Sequence, residues 1–502
     1  MFENFLMLGG QLRNSSAYDA DAVQKGFEAI AAFGGNTAEL PVYWEQVEPQ
    51  EGRFHFDHVG RIIEAARARG LKLILLWFGT WKNATDSYVP EWIKTDPERF
   101  PVVQTPSGAH LASLSPLGTQ TLQADKTAFC ALMAYLKQVD GQTGTVIAIQ
   151  VENEPGALGC DRDYAPAAQS AFAGPVPACL GEGSWNEVYG WRAAEAFSAW
   201  HIARYIDQIA QAGQAVYDLP MYANAWLSHI GLELPGQDYP SGGPVPPVLE
   251  IWGKAAPHLF TLAPDIYIQN LNLCRRICEE YTASGAPLLI PESAANVSGA
   301  MMLTRAIADF GAVGVAAFGI EGILDSRGEV LPQALPWVLQ MRVFKAMTPL
   351  LLKYRGAGRV HAVVQEEWSG SEHLVFADGW QGAVNFGFLN TDHAHNRDKL
   401  VDRGWDQLRG MGLIVQGEED TFYLGGMGYY LRLYRPSWQD GASELAMNSA
   451  FALRQSPYLS VEEGCFEPDG TWRTLRRRNG DETDGGLWVH PDTLVRVRLY
   501  RR

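Results

Sequence analysis

Residues 145–156 read TVIAIQVENEPG. From Val146 to Val151 the run is apolar except for Gln150. Without apolar/polar alternation it describes a strand covered on both faces, as in a parallel sheet. It stops at Glu152, Asn153 and Glu154, and Pro155-Gly156 turn the chain away. Alternation puts Glu152 and Glu154 on one side of the strand and Asn153 on the other. The same unit recurs outward in both directions. FLMLGGQ (5–11) precedes DADAVQKGFEAIAAFGG (19–35), a helical period with an acidic start and a Gly stop. NTAELPVYW (36–44) precedes the amphipathic FDHVGRIIEAARARG (56–70), and LKLILLWFG (71–79) precedes a helix over about 117–139. The quoted stretch is the fourth strand, followed by a helix over about 186–216. PMYANAW (220–226), DIYIQN (265–270), APLLIPES (286–293) and VGVAAFGIEG (313–322) complete eight apolar segments, each with a connection.

Eight such units predict an α/β fold, a (β/α)8 TIM barrel over residues 1–350. A doubly wound sheet is the competing arrangement. It calls for a Gly-rich phosphate loop after the first strand, and LGGQLRNSS is not GxGxxG. Beyond residue 355 the segments become short and rich in Val, Phe and Tyr, as in RVHAVVQEE and YYLRLYRP, with Pro-Asp-Gly and Asn-Gly turns. Residues 355–502 are expected to form a β-rich C-terminal region of antiparallel modules, β-sandwich or jelly-roll-like.

The chain has 502 residues, 47% of them apolar, with 40 basic and 57 acidic side chains and a net charge of −17. That balance disfavours nucleic acid and anionic membranes as partners and suits a neutral substrate. No run of about 20 apolar residues spans a membrane. No signal-like segment opens the sequence, so the chain as written reads as cytoplasmic, or as exported if a signal has been removed. No motif calls for a cofactor. His393 and His395 are read as a solvated loop and not a metal site. Cys160 and Cys179 bracket a Pro/Ala/Gly-rich loop and are candidates for a disulfide. The oligomeric state is left open.

In an α/β barrel the chemistry sits where strands end. The fourth strand exits at Glu154 and the seventh candidate, PLLIPES, exits at Glu292. Two carboxyls facing each other across a barrel mouth are what glycosidic hydrolysis uses, one to protonate the leaving oxygen and one to attack carbon or activate water. Other strand-end candidates for a sugar shell are Trp77, Trp81, Lys82 and Asn83 after the third strand, Asn224 and Trp226 after the fifth, Tyr267 after the sixth and Glu321 after the eighth. Glu39 and Glu152 are candidates for holding Asn153 or Glu154 in place.

IQVENEPG resembles the acid/base segment of glycoside hydrolase family 35 β-galactosidases. GGNTAELPVYWEQVEPQEGRFHF resembles that family's second-strand block through Asn36, Thr37, Trp44, Glu48, Pro49, Gly52, Phe54 and Phe56. The wider group is the retaining barrel glycosidases. The resemblance implies that Glu154 is the general acid/base, that Asn153 hydrogen-bonds the sugar 2-hydroxyl and that Glu292 is the nucleophile, with the two carboxyls about 5–5.5 Å apart. It implies a retaining, exo-acting β-galactosidase acting on an oligosaccharide or polysaccharide side chain. Departures touch the sugar shell: Pro41 stands where many members have Tyr, and PESAAN replaces the usual Ser-Glu-Phe-Tyr context. They keep glucose, arabinose or a similar β-linked sugar as alternatives. A barrel that binds carbohydrate without turnover is the alternative from another class.

Overall fold

The computed structural model describes residues 2–227, 234–366, 369–386, 409–435, 458–483, 486–491 and 493–500. His393 and His395 lie outside them. Eight parallel strands follow one another: β1 (Met7–Gln11), β2 (Thr37–Tyr43), β3 (Lys72–Lys82), β4 (Val146–Asn153), β5 (Met221–Trp226), β6 (Thr261–Asp265), β7 (Leu289–Ile290) and β8 (Gly314–Phe318). They hydrogen-bond in the order β6-β5-β4-β3-β2-β1-β8-β7. The ring is drawn together between β6 and β7 by the Ile266 N–H, which donates to the Glu292 carbonyl at 2.9 Å. The fold is therefore the expected (β/α)8 barrel.

Eight helices form the outer layer: α1 (Ala20–Phe33), α2 (Asp57–Arg67), α3 (Thr119–Asp140), α4 (Ala193–Val216), α5 (Leu249–Ala255), α6 (Leu271–Thr282), α7 (Val297–Phe310) and α8 (Leu335–Tyr354). Their ends follow local chemistry. Asp19 caps α1 by accepting the Asp21 N–H, and Gly34 ends that helix at φ 74°. Asn296 caps α7 through the Gly299 N–H, and Gly311 closes it at φ 63°. Among the described residues no helix is long and apolar enough to cross a membrane.

The sixth strand corrects the sequence reading. It is Thr261–Asp265, one segment earlier than DIYIQN, whose first residue is the strand's last. Pro264 has no N–H and disguised the strand, whereas the alternating Ile266, Tyr267 and Ile268 imitated one. The candidate disulfide is absent: Cys160 and Cys179 are both free thiols, the first buried and the second exposed.

Among the described residues the C-terminal strands are β9 (Val360–Val364), β10 (Ser371–Val375), β11 (Gln381–Phe386), β12 (Met411–Gln416), β13 (Thr421–Met427), β14 (Tyr429–Tyr434), β15 (Tyr458–Phe466), β16 (Trp472–Arg478), β17 (Leu487–Val489) and β18 (Leu494–Leu499). They form a six-stranded sheet, β9-β12-β13-β18-β15-β16, and a four-stranded sheet, β10-β11-β14-β17. Every pairing within them is antiparallel. Alternation divides the larger sheet between two cores. Val363, Ile414, Phe422 and Leu424 pack toward the smaller sheet with Val384 and Leu431. Ala362, Val364, Leu413 and Val415 join the core shared with the barrel.

Candidate active site

The exits of β3, β4, β5, β6, β7 and β8 converge on one hollow of about 220 Å³. Lys82, Asn83, Glu154, Trp226, Asp265, Tyr267 and Glu292 line it, with Asn14 and Phe318. Glu154, Asp265 and Glu292 are all buried, and one oxygen from each lies within 4.8 Å of the others.

Glu154 reaches the hollow because the end of β4 abandons strand geometry. Glu152 and Glu154 take left-handed backbone angles, φ 64° and 44°, which breaks the alternation expected from the sequence. The two side chains part company. Glu152 accepts the Trp81 N–H at 2.6 Å on the side of the helix layer. Gly79 leaves room there, since a Cβ would come within 2.7 Å of a Glu152 carboxyl oxygen. Glu154 turns into the mouth. Its N–H donates to Asn224 Oδ1 at 2.9 Å, and its Oε2 accepts from Asn83 Nδ2. The overrunning end of β3 clamps this exit, with Asn83 and Ala84 N–H groups donating to the Asn153 and Glu154 carbonyls, each at 3.1 Å.

Glu292 is held by donors. Gln11 Nε2 gives to Oε1 at 2.8 Å and Tyr267 OH gives to Oε2 at 2.7 Å. Asn153 Nδ2 stands 3.5 Å from Oε1. Burial, with the negative charge of Glu292 adding to it, pushes Glu154 up to about 7. The same two causes push Asp265 well above the usual carboxylate range. Burial draws Lys82 down, against the three acids that favour its charge. Three carboxyls this close could hold a cation. Here Tyr267, Gln11 and Asn224 already donate to them, and Lys82 lies close enough to feel all three.

Of the expected shell, Asn153, Lys82, Asn83, Asn224, Trp226 and Tyr267 gather at the hollow or against its carboxyls. Trp77 and Trp81 do not. Trp77 is wholly buried between strand and helix layer, its Nε1 donating to Asp125 of α3 at 2.8 Å, and Trp81 packs edge-on against Tyr205 of α4. Both side chains point outward from the barrel. Glu321 is also displaced. It accepts from the Arg13 N–H and the Ser16 hydroxyl, fixing the β1 exit beside a neighbouring cleft. Glu39 accepts from Tyr222 OH at 3.1 Å, and the groups that Glu152 touches lie on β3 and α3, so neither acid holds Asn153 or Glu154. Gln11 and Asp265 were missed. Gln11 had the signal that flagged Glu154, a polar residue ending an apolar run. Asp265 was hidden by the shifted sixth strand.

Residues 14–217 match the family Glyco_hydro_42, described as beta-galactosidase. This part of the chain is glycoside hydrolase sequence. The matching family is 42, not the family 35 expected from the motifs. Residues 340–490 match a domain of unknown function, DUF5597. A beta-galactosidase of Xanthomonas manihotis is 30% identical over 160 residues, which are 30% of this chain and only 23% of that relative. The catalytic domain of a beta-amylase from Paenibacillus polymyxa superposes with a TM-score of 0.52 at 14% identity, over 68% of this chain and 98% of that one. A beta-galactosidase from Bacillus circulans sp. alkalophilus gives 0.52 at 14% identity over 70% and 57%. At such identities the structural likenesses concern the fold. The family 42 match ends before β6 and β7, so Asp265, Tyr267 and Glu292 lie outside it.

Proposed function

We propose that the protein is a retaining, exo-acting β-galactosidase that removes terminal β-linked galactose from oligosaccharides or polysaccharide side chains. The observation that carries this reading is the contrast between two carboxyls in one hollow. Glu154 is pushed up to about 7 by burial, while Glu292 receives hydrogen bonds on both oxygens. A protonated acid beside a donor-stabilised carboxylate is the division of labour that glycosidic cleavage needs. Glu292 attacks the anomeric carbon as Glu154 gives its proton to the leaving oxygen, and a glycosyl-enzyme forms. Glu154 then takes a proton from water, which releases the sugar and restores both groups. Oxygens within 4.8 Å support retention, since inverting enzymes keep their carboxyls about 6.5–9.5 Å apart to admit a water. A hollow of about 220 Å³, below the roughly 300–1,000 Å³ of typical ligand pockets, favours a single terminal ring.

The test uses nitrophenyl glycosides. Glu292→Gly is expected to abolish turnover of the β-galactoside, and added azide or formate to restore part of it. Near-normal activity in that variant removes Glu292 from its role. Turnover of a β-glucoside or β-arabinoside in preference replaces galactose. Binding without turnover by the wild type replaces the enzyme.

A further inference from the structure

Asp265 closes β6 with 2% of its surface exposed, yet it lines the hollow. One amide ties it to Glu154: Asn224 accepts the Glu154 N–H at 2.9 Å and donates its Nδ2 to Asp265 Oδ2 at 2.6 Å. The other oxygen, Oδ1, is buried and among the described residues receives no N–H or hydroxyl donor. One oxygen of Asp265 lies within 4.8 Å of an oxygen of Glu154. A buried carboxylate oxygen without a donor is costly, and two carboxyls buried this close together disfavour ionising both. A proton held on Asp265 and shared with Glu154 removes both problems.

We propose that Asp265 is a positioning residue whose carboxyl stays protonated and donates a hydrogen bond to the Glu154 carboxylate that remains once the acid has given up its proton. The inference rests on the roles proposed above for Glu154 and Glu292. The proton on Asp265 is never transferred; it stabilises the ionised acid until water resupplies Glu154. Among the described residues, the other charged or titratable groups around the pair are Glu292, Lys82, Tyr222, Tyr267 and Tyr281. Burial and the charge of Glu292 favour the neutral form of Asp265, in accord with the geometry.

The pH profile of kcat/KM on a nitrophenyl β-galactoside decides the matter, with the fold of each variant checked by circular dichroism. Asp265→Asn keeps a donor toward Glu154 and an acceptor toward Asn224, so its alkaline limb should stay within about 0.3 pH units of wild type. Asp265→Ala loses the donor, so its limb should move up by about one unit. An ionised Asp265 gives the opposite result, with both variants moving the limb down, because a like charge has been removed. Either that shift or an unmoved limb in Asp265→Ala overturns the inference. A wild type without turnover would instead strike the proposed function and is seen before any variant is made.

Discussion

Glu154 leaves the ordinary carboxylate range because it is buried beside a second acid, and this links chemistry to stability. In the unfolded chain its proton leaves near 4.5, and in the folded chain near 7. Between those values the native state holds a proton the unfolded state has lost, so the native state's advantage is full below pH 4.5 and gone above 7. Glu154→Gln does not titrate. The variant should gain on wild type as pH rises through that window, reaching about 3 kcal/mol by pH 8. Its turnover of poor leaving groups should collapse. Urea unfolding at pH 5 and pH 8 checks the first statement; a gain that is equal at both values refutes it. The candidate carboxyls were legible in the sequence because an apolar run that ends in a charge is visible in one dimension. The separation of Glu152 from Glu154 was not, because two successive reversals of backbone sign leave no trace in composition. Nor was the approach of Asp265 to Glu154, which brings together exits 111 residues apart.

Trp77 belongs to the joint between β3 and the helices. Asp125 of α3 accepts from Trp77 Nε1 at 2.8 Å, from Thr80 Oγ1 at 2.7 Å and from Tyr205 OH of α4 at 3.3 Å. Every partner is buried, so removing one donor leaves a polar atom unsatisfied at about 1–3 kcal/mol. Trp77→Phe should therefore destabilise the protein by roughly 2 kcal/mol while leaving KM for the β-galactoside unchanged. A raised KM at unchanged stability would return Trp77 to the sugar shell. Which strands and helices exist was readable, since β1 to β5 and α1 to α4 carry clear periods. Which face a strand-end side chain takes was not, because both faces of a barrel strand are buried and a Trp suits either. The β6 error has the same origin at a smaller scale. Apolar spacing without hydrogen-bond information cannot separate a strand interrupted by Pro264 from the exit that follows it.

Barrel and sandwich share a core, and one glycine sets how closely they approach. Met347 and Val343 of α8 lie against Gly425 of β13. A Cβ there would stand 2.7 Å from Met347 Sδ, 2.8 Å from Leu494 Cδ2 and 3.0 Å from Val343 Cγ1. The side chains on this face, among them Val364, Leu413, Val415 and Met427, are continuous with the barrel's interior cluster. Loss of the larger sheet would therefore bare to water an apolar surface on α8. Two consequences follow for the whole molecule. The described barrel and sandwich should unfold together in one calorimetric transition. Gly425→Val forces extra methyl groups into a filled joint, at a cost of about 1–3 kcal/mol, and should lower that single transition without splitting it. Two separate transitions in the wild type, or a variant in which only one half melts earlier, would mean that the sandwich stands by itself and that the shared face is too weak to couple it to the barrel. Since Gly425 lies on the sandwich side of α8 and lines no part of the hollow, residual kcat/KM at low temperature should stay at the wild-type value. That separates a fault in assembly from a fault in the site.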